Sequence, residues 1–334
     1  MTPAARHGRQ ALVGALPLRT AAEGGRAVDE QFTIIGLGEV LWDLFEDGKV
    51  LGGAPFNFAF HVANLGHRGI PLSRAGEDRL GDEIISAAED LGMPTDFIQR
   101  DPRHATGTVL VKLDSSRGPA FTIVEDVAWD YMEPDERWLD LASGCNAVCF
   151  GTLAQRSRQS QRTIQQVLAA AESAVRVCDM NFRQHFYSRE VVTESLAWAT
   201  VLKLNEEEVV RLRELLRPPA PVAAGGRAHD SDDVFMRALI SDYGLALACM
   251  TRGAEGCRLV SADDAVSRPV PPTRVVDTVG AGDAFTAGLV VKYLEGGSLT
   301  AVADAANLLG AYVAGRRGAT PRLTDEVLAR FRAL

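Results

Sequence analysis

Asp283 closes an unusual run, Val275-Val276-Asp277-Thr278-Val279-Gly280-Ala281-Gly282-Asp283-Ala284-Phe285. An apolar, β-branched stretch stops at one acid, two glycines follow one residue apart, and a second acid opens a long apolar segment of helical character. Glycine lets backbone approach a ligand where a Cβ would collide. A helix starting at about Ala281 points unpaired N–H groups and its positive dipole end at whatever sits there, which suits phosphate. A carboxylate beside an anion pocket repels the ligand unless it takes part in the reaction. The part that fits Asp283 is taking a proton from a hydroxyl that attacks phosphate, with Gly280, Ala281 and Gly282 forming the turn around it. On spacing alone, a plain glycine turn with Asp283 as an ordinary first-turn acid reads as well. A dinucleotide fingerprint fits worse, because it needs a small residue where the chain has Phe285, and an acid about twenty residues on. No G-x-x-x-x-G-K-[ST] occurs, which excludes a Walker loop.

Three further constellations carry chemistry. Gly52-Gly53-Ala54-Pro55-Phe56-Asn57 opens a helix expected from Phe58 to Leu65, and Asp43 lies just upstream. An acid, a Gly-Gly backbone platform and an amide suit a polyhydroxylated ligand, although each alone reads as a turn acid, a turn and a helix-start amide. Asn205-Glu206-Glu207-Glu208 follows a strand. Asn205 and Glu208 have the spacing of a reciprocal helix cap, and the same oxygens suit the surroundings of a Mg²⁺–phosphate cluster. Asp179-Met180-Asn181-Phe182-Arg183 also follows a strand, and Arg183 is either a phosphate fork or a surface ion-pair partner. None of the six histidines has metal-ligand spacing or a nucleophile partner, and His61 reads as structural.

These groups need a scaffold, and the apolar runs supply one. Phe32-Thr33-Ile34-Ile35-Gly36, Ala147-Val148-Cys149-Phe150, Val175-Arg176-Val177-Cys178, Thr200-Val201-Leu202-Lys203-Leu204 and Leu245-Ala246-Leu247-Ala248-Cys249-Met250 read as buried strands, with helices expected over 158–172 and near 206–216. The alternation predicts an α/β fold with a mostly parallel central sheet flanked by helices, which binds ligands at its strand carboxyl ends. Residues 105–127 read as an antiparallel hairpin and 39–53 as further extended pieces, together a small β flap outside the main sheet. Residues 1–30 read as a disordered tail, and the Pro/Gly/Ala-rich stretch within 217–231 as a mobile surface loop. No internal repeat is evident.

At 334 residues and 46% hydrophobic content the chain is long enough for a large core. The net charge of −9 argues against nucleic acid as the main partner. No apolar run approaches bilayer length. The five cysteines form no C-x-x-C and read as buried free thiols in a reducing cytosol.

Taken together, these motifs resemble the ribokinase/fructokinase family of sugar kinases, over about residues 32–322. Asp277-Thr278-Val279-Gly280-Ala281-Gly282-Asp283 looks like the family's C-terminal signature, Leu51-Gly52-Gly53-Ala54-Pro55-Phe56-Asn57 like its N-terminal sugar signature, and Asn205-Glu206-Glu207-Glu208 like its Asn-x-x-Glu element. Gly38-Glu39-Val40-Leu41-Trp42-Asp43, Ala128-Trp129-Asp130 and Asp179-Met180-Asn181-Phe182-Arg183-Gln184 favour the fructokinase branch. The resemblance implies a ribokinase-like kinase domain over 31–334 with a β-sheet lid, and ATP-dependent transfer to a sugar hydroxyl. Fructose is the expected acceptor; another ketose, a 2-keto-3-deoxy sugar acid or a nucleoside is the alternative, as is a catalytically silent sugar-binding protein on this scaffold.

The resemblance also implies the residue roles. Asp283 is the base, and the amides of Ala281, Gly282 and Asp283 form the anion hole. Asp43, Gly52, Gly53, Asn57 and Arg183 hold the sugar. Lys203, Asn205, Glu208, Thr251, Gly253, Gly256 and Asn307 surround the nucleotide, with Glu208 meeting Mg²⁺ through water. Asp277, Val279, Val313, Arg316 and Gly318 match a monovalent-cation loop for K⁺, although Arg322 stands where the family often has a small hydroxyl residue. A cytoplasmic enzyme follows, with a small-molecule sugar, no nucleic acid or membrane, and a second copy paired through the lid.

Overall fold

A computed structural model describes residues 31–114, 118–216 and 228–334. The expected tail at 1–30, the hairpin tip at 115–117 and residues 217–227 of the expected loop lie outside the described residues.

The strands are β1 (Thr33–Leu37), β2 (Leu41–Phe45), β3 (Gly48–Gly52), β4 (Arg68–Gly76), β5 (Ile98–Asp101), β6 (Thr108–Asp114), β7 (Gly118–Ile123), β8 (Ala147–Phe150), β9 (Val175–Asp179), β10 (Val201–Asn205), β11 (Leu247–Thr251), β12 (Cys257–Val260) and β13 (Ala265–Arg268). The helices are α1 (Ala54–Asn64), α2 (Arg79–Asp90), α3 (Glu136–Ser143), α4 (Arg158–Ala170), α5 (Arg189–Trp198), α6 (Glu206–Leu216), α7 (Ala228–Tyr243), α8 (Ala281–Leu294), α9 (Leu299–Ala314) and α10 (Asp325–Arg332). Helix α7 begins inside the stretch expected as loop.

Nine strands form one sheet in the order β13-β12-β11-β10-β9-β8-β1-β4-β5. From β11 to β5 every pairing is parallel, while β12 and β13 add antiparallel edges. The strands read as near-continuous apolar runs because both faces are buried. Ile34, Ala147, Val177, Val201 and Leu247 face a core built with α1, α8 and α9, whereas Ile35, Val148, Leu202 and Ala248 face a second core on the opposite side.

The flap is a separate four-stranded sheet, β3-β2-β6-β7. Asp43 pairs with Val50 and Val109, and Val109 with Ile123. Paired residues share a face, so Asp43 lies on the face that carries Val109, Val111 and Ile123 into the core. Val50, Leu110 and Phe121 are exposed on these strands.

Helix α1 starts at Ala54, four residues before the expected Phe58. Pro55, at its start, has φ preset for a helix and lacks an N–H that the first turn cannot use anyway. The earlier start places Asn57 inside the first turn. Helix α8 is buried from Ala284 to Tyr293 and packs between α1 and α9, which explains why it is apolar all round. Among the described residues, no helix is long and apolar enough to cross a membrane.

Candidate active site

Gly280 is the residue before α8 and has φ 76°, the left-handed region. A Cβ there would stand 2.5 Å from the Ala319 Cα, so both conformation and space demand glycine. The Ala281 N–H donates to the Thr278 carbonyl at 3.2 Å and closes the turn. That amide is spent within the turn, and the N–H groups of Gly282 and Asp283 are left in the first turn, where a helix supplies no acceptor.

Asp283 is half-buried, and its Oδ2 accepts from the Asn57 Nδ2 at 2.9 Å. One hydrogen bond thus joins the two glycine motifs across 226 residues of chain. The Asn57 Oδ1 is buried without a partner, leaving an acceptor for a ligand hydroxyl. Burial lifts the Asp283 carboxyl from its ordinary 3.8 to about 6; Asp179 adds to the rise, while the Asn57 amide, Lys203 and Arg183 oppose it.

Beneath the turn lies a buried ionic cluster. The Lys203 Nζ bonds both Asp179 oxygens at 3.0 Å, and the Thr286 hydroxyl donates to the Asp179 Oδ2 at 3.1 Å. A Cβ on Gly282 would stand 3.3 Å from that ammonium. Burial alone would lower the Lys203 pKa, but the charges of Asp179 and Glu208 outweigh it and raise it. Lys203 was expected beside the nucleotide; its charge instead lies buried directly under the phosphate-type turn.

On the sugar-motif side, Gly53 precedes α1 with φ 111°, and a Cβ there would stand 2.4 Å from the Glu39 carbonyl oxygen. At Gly52 a Cβ would stand 2.8 Å from the Asp43 Oδ2. The acid leans across a position where only hydrogen fits. Burial raises Asp43 from 3.8 to about 6, opposed by Arg183. Glu39 escaped the sequence reading. It is buried and rises from 4.5 to about 7 through burial, with backbone N–H groups and Arg183 opposing and the Asp283 charge reinforcing. Arg183 is the cation acting on all three acids. Glu39, Thr152, Asp179, Asn181, Asp283 and Thr286 are among the residues lining a small cavity of about 20 Å³.

The reciprocal cap is present: Asn205 N–H donates to the Glu208 Oε2 at 2.8 Å, and Glu208 N–H to the Asn205 Oδ1 at 2.9 Å. The Glu208 Oε1 accepts from the Phe182 N–H at 3.0 Å. Both oxygens of this buried acid therefore accept a backbone N–H. Burial raises its pKa. Among the described residues, no cluster of three His, Cys, Asp or Glu side chains could hold a metal.

Farther along the strand ends, Thr251 ends β11, and Gly253 and Gly256 form the tight loop into β12. The Asn307 amide donates to the carbonyls of Arg268 and Pro269. Asn307, Pro269, Asp304 and Arg330 help line a second cavity of about 180 Å³. Arg330 was not visible as a candidate, because it comes from the last helix, far from the motifs in the chain.

Asp277, Val279 and Gly318 meet: Asp277 accepts from both of the other residues' N–H groups at 3.0 Å. Val313 and Arg316 lie at the end of α9, where the Arg316 N–H donates to the Val313 carbonyl and its guanidinium stacks on Tyr312. Arg322 turns away, donating to the Leu91 carbonyl.

The model of the pfkB family carbohydrate kinases matches residues 29–326. The chain belongs to that family. It is a sugar kinase, a phosphotransferase acting on an alcohol group. An uncharacterised sugar kinase of Pyrococcus horikoshii is 30% identical over 317 residues, covering 88% of this chain and 94% of its own. Its ATP complex superposes with a TM-score of 0.70 at 28% identity, over 86% of this chain and 95% of that chain. Escherichia coli fructokinase is 28% identical over 311 residues, 86% of this chain and 94% of its own. A Vibrio cholerae fructokinase holding fructose, ADP and potassium shares the fold, with a TM-score of 0.72 and 22% identity over 90% of this chain and 98% of that chain.

Proposed function

We propose that this sugar kinase transfers the γ-phosphate of ATP to a hydroxyl of fructose, with Asp283 as general base. The observation that carries the reading is the Asn57–Asp283 hydrogen bond, which holds the sugar-type motif and the phosphate-type turn at one point. A sugar hydroxyl between them loses its proton to the Asp283 carboxylate as it attacks in line. In a loose transition state that proton leaves late, so a carboxylate suffices. The Gly282 and Asp283 amides and the Lys203 charge beneath them face the charge that develops on the transferred group. The 31–334 region acts as one kinase unit, with Asp43, Gly52, Gly53 and Arg183 on the sugar and the Thr251–Gly256 loop and Asn307 toward the nucleotide. The β2/β3/β6/β7 sheet closes over the sugar and excludes water.

The acids Glu39, Asp43 and Asp283 around one exposed arginine favour a neutral polyol over a sugar acid. Fructokinases among the relatives support fructose. Glu208 would face the water shell of a Mg²⁺ ion brought by the triphosphate, as an oxygen group suited to a hard, hydrated cation. The Asp277–Val279–Gly318 turn suits K⁺ as far as its carboxylate is a hard oxygen ligand. Five buried free cysteines suit a cytoplasmic setting, and the exposed apolar side chains of the lid suit pairing with a second copy.

A coupled ADP-release assay over a panel of sugars, with and without K⁺, tests this. Fructose is expected to give the highest kcat/KM. A keto-deoxy sugar acid or a nucleoside turning over faster would move the substrate, and no release with any acceptor would make the chain a silent binder.

The acid limb of the fructose profile follows from the same site. The base works only when ionised, and burial raises it to about 6. Activity is therefore full above that value, and kcat/KM drops tenfold per unit below about pH 6. The stability term has the opposite sign. An acid with a raised folded pKa favours folding while protonated, so its contribution is lost as pH rises from 3.8 through about 6. A limb near pH 4 would sink the assignment.

A further inference from the structure

We propose that His61 is a positioning residue for phosphoryl transfer, clamping residues 318–319 against the Gly280 turn so that the Gly282 and Asp283 amides stay aimed. This rests on the kinase reading above. His61 lies one turn beyond Asn57 on α1, so the two side chains share a face. Asn57 reaches Asp283 at 2.9 Å, and the His61 Nε2 meets the Ala319 carbonyl at 2.8 Å. The same helix face thus grips the catalytic turn from two sides.

Ala319 is the residue against which Gly280 packs. Its neighbour Gly318 donates to the Asp277 Oδ2, and Asp277 in turn holds Val279, the residue before Gly280. If residues 318–319 moved, the left-handed turn at Gly280 would lose its wall on one side and its Asp277 staple on the other. A carbonyl partner obliges Nε2 to carry the proton, which leaves Nδ1 as a bare acceptor. That atom is buried without a partner, and the side chain is fully enclosed. A buried unsatisfied nitrogen costs stability, so packing alone does not explain an imidazole here. The bond to Ala319 does.

The experiment compares the intact enzyme with His61→Phe, which keeps a ring but cannot donate, and His61→Gln, which restores a donor. For His61→Phe, kcat should fall about 10- to 100-fold, as expected for ångström-scale misplacement, with the KM for fructose changed less than about threefold. His61→Gln should recover kcat to within about threefold of the parent. Hydrogen exchange supplies a readout independent of turnover. Amides of 278–283 and 316–320 should exchange about tenfold faster in His61→Phe and return toward parent rates in His61→Gln, with the rest of the sheet unchanged. Unchanged kcat in a folded His61→Phe, or a loss that His61→Gln does not relieve and that accompanies faster exchange throughout, overturns the proposal. If the parent transfers phosphate to no sugar, the kinase assignment fails and the exchange pattern alone decides the clamp.

Discussion

Replacing Asp283 with asparagine is expected to lower kcat by about 10²- to 10⁴-fold while binding of a non-hydrolysable ATP analogue stays within about threefold. The substitution keeps the shape of the side chain and an oxygen that can accept from the Asn57 amide, so the 2.9 Å link between α1 and α8 survives. What disappears is the ability to take a proton. Because the proton moves only as the hydroxyl attacks, kcat and kcat/KM should fall together. The proposed nucleotide contacts, the Thr251–Gly256 loop and Asn307, lie elsewhere along the strand ends, and removing a negative charge beside the triphosphate should not weaken its binding. The residual activity should also lose its acid limb near pH 6, since burial tuned that limb through Asp283 itself. Near-parent turnover in the asparagine variant would remove the general base from the mechanism and leave the glycine turn as a binding feature alone.

Much of this site was legible because its parts are local. The Gly280–Asp283 turn and the Asn205–Glu208 cap depend on neighbours within one turn of helix, so residue type and spacing suffice. The parallel sheet was legible because strands buried on both faces read as unbroken apolar runs. Strand β4 escaped because Pro71 sits within it, and proline argues against a central strand; the first edge strand, β5, is only four residues long. Other features depend on segments far apart in the chain. The amide of Ala281 is spent on Thr278, which only the turn's actual geometry reveals. Glu39 reads as one more turn acid until α1 and the Gly53 backbone close over it, and burial then raises its pKa to about 7. The family resemblance implied a place for Lys203 beside the nucleotide. The packing of β9 against β10 gives it Asp179 instead, and α8 roofs the pair with Thr286.

That buried pair makes the second large effect. Lys203→Met is expected to destabilise the fold by about 3–5 kcal/mol, because Asp179 would remain in a dry site with no cation to answer it. For a chain of this size the melting temperature should fall by roughly 4–8 °C. Turnover should fall as well, by about 10²-fold, since the ammonium 3.3 Å from the Gly282 Cβ position is the nearest positive charge under the anion-binding turn. The two losses separate in the double variant Lys203→Met with Asp179→Leu. Removing both charges leaves no bare Asp179, and the remaining buried acid, Glu208, keeps the Asn205 and Phe182 amides; apolar groups of similar volume often match a buried pair in stability. The double variant should therefore recover most of the lost melting temperature, at the cost of the Thr286 contact to Asp179, yet stay about 10²-fold slow. A double variant that regained parent turnover would reduce the pair to a structural element. One that stayed unstable would show that Asp179 acts mainly through Thr286 and the α8 backbone rather than through Lys203.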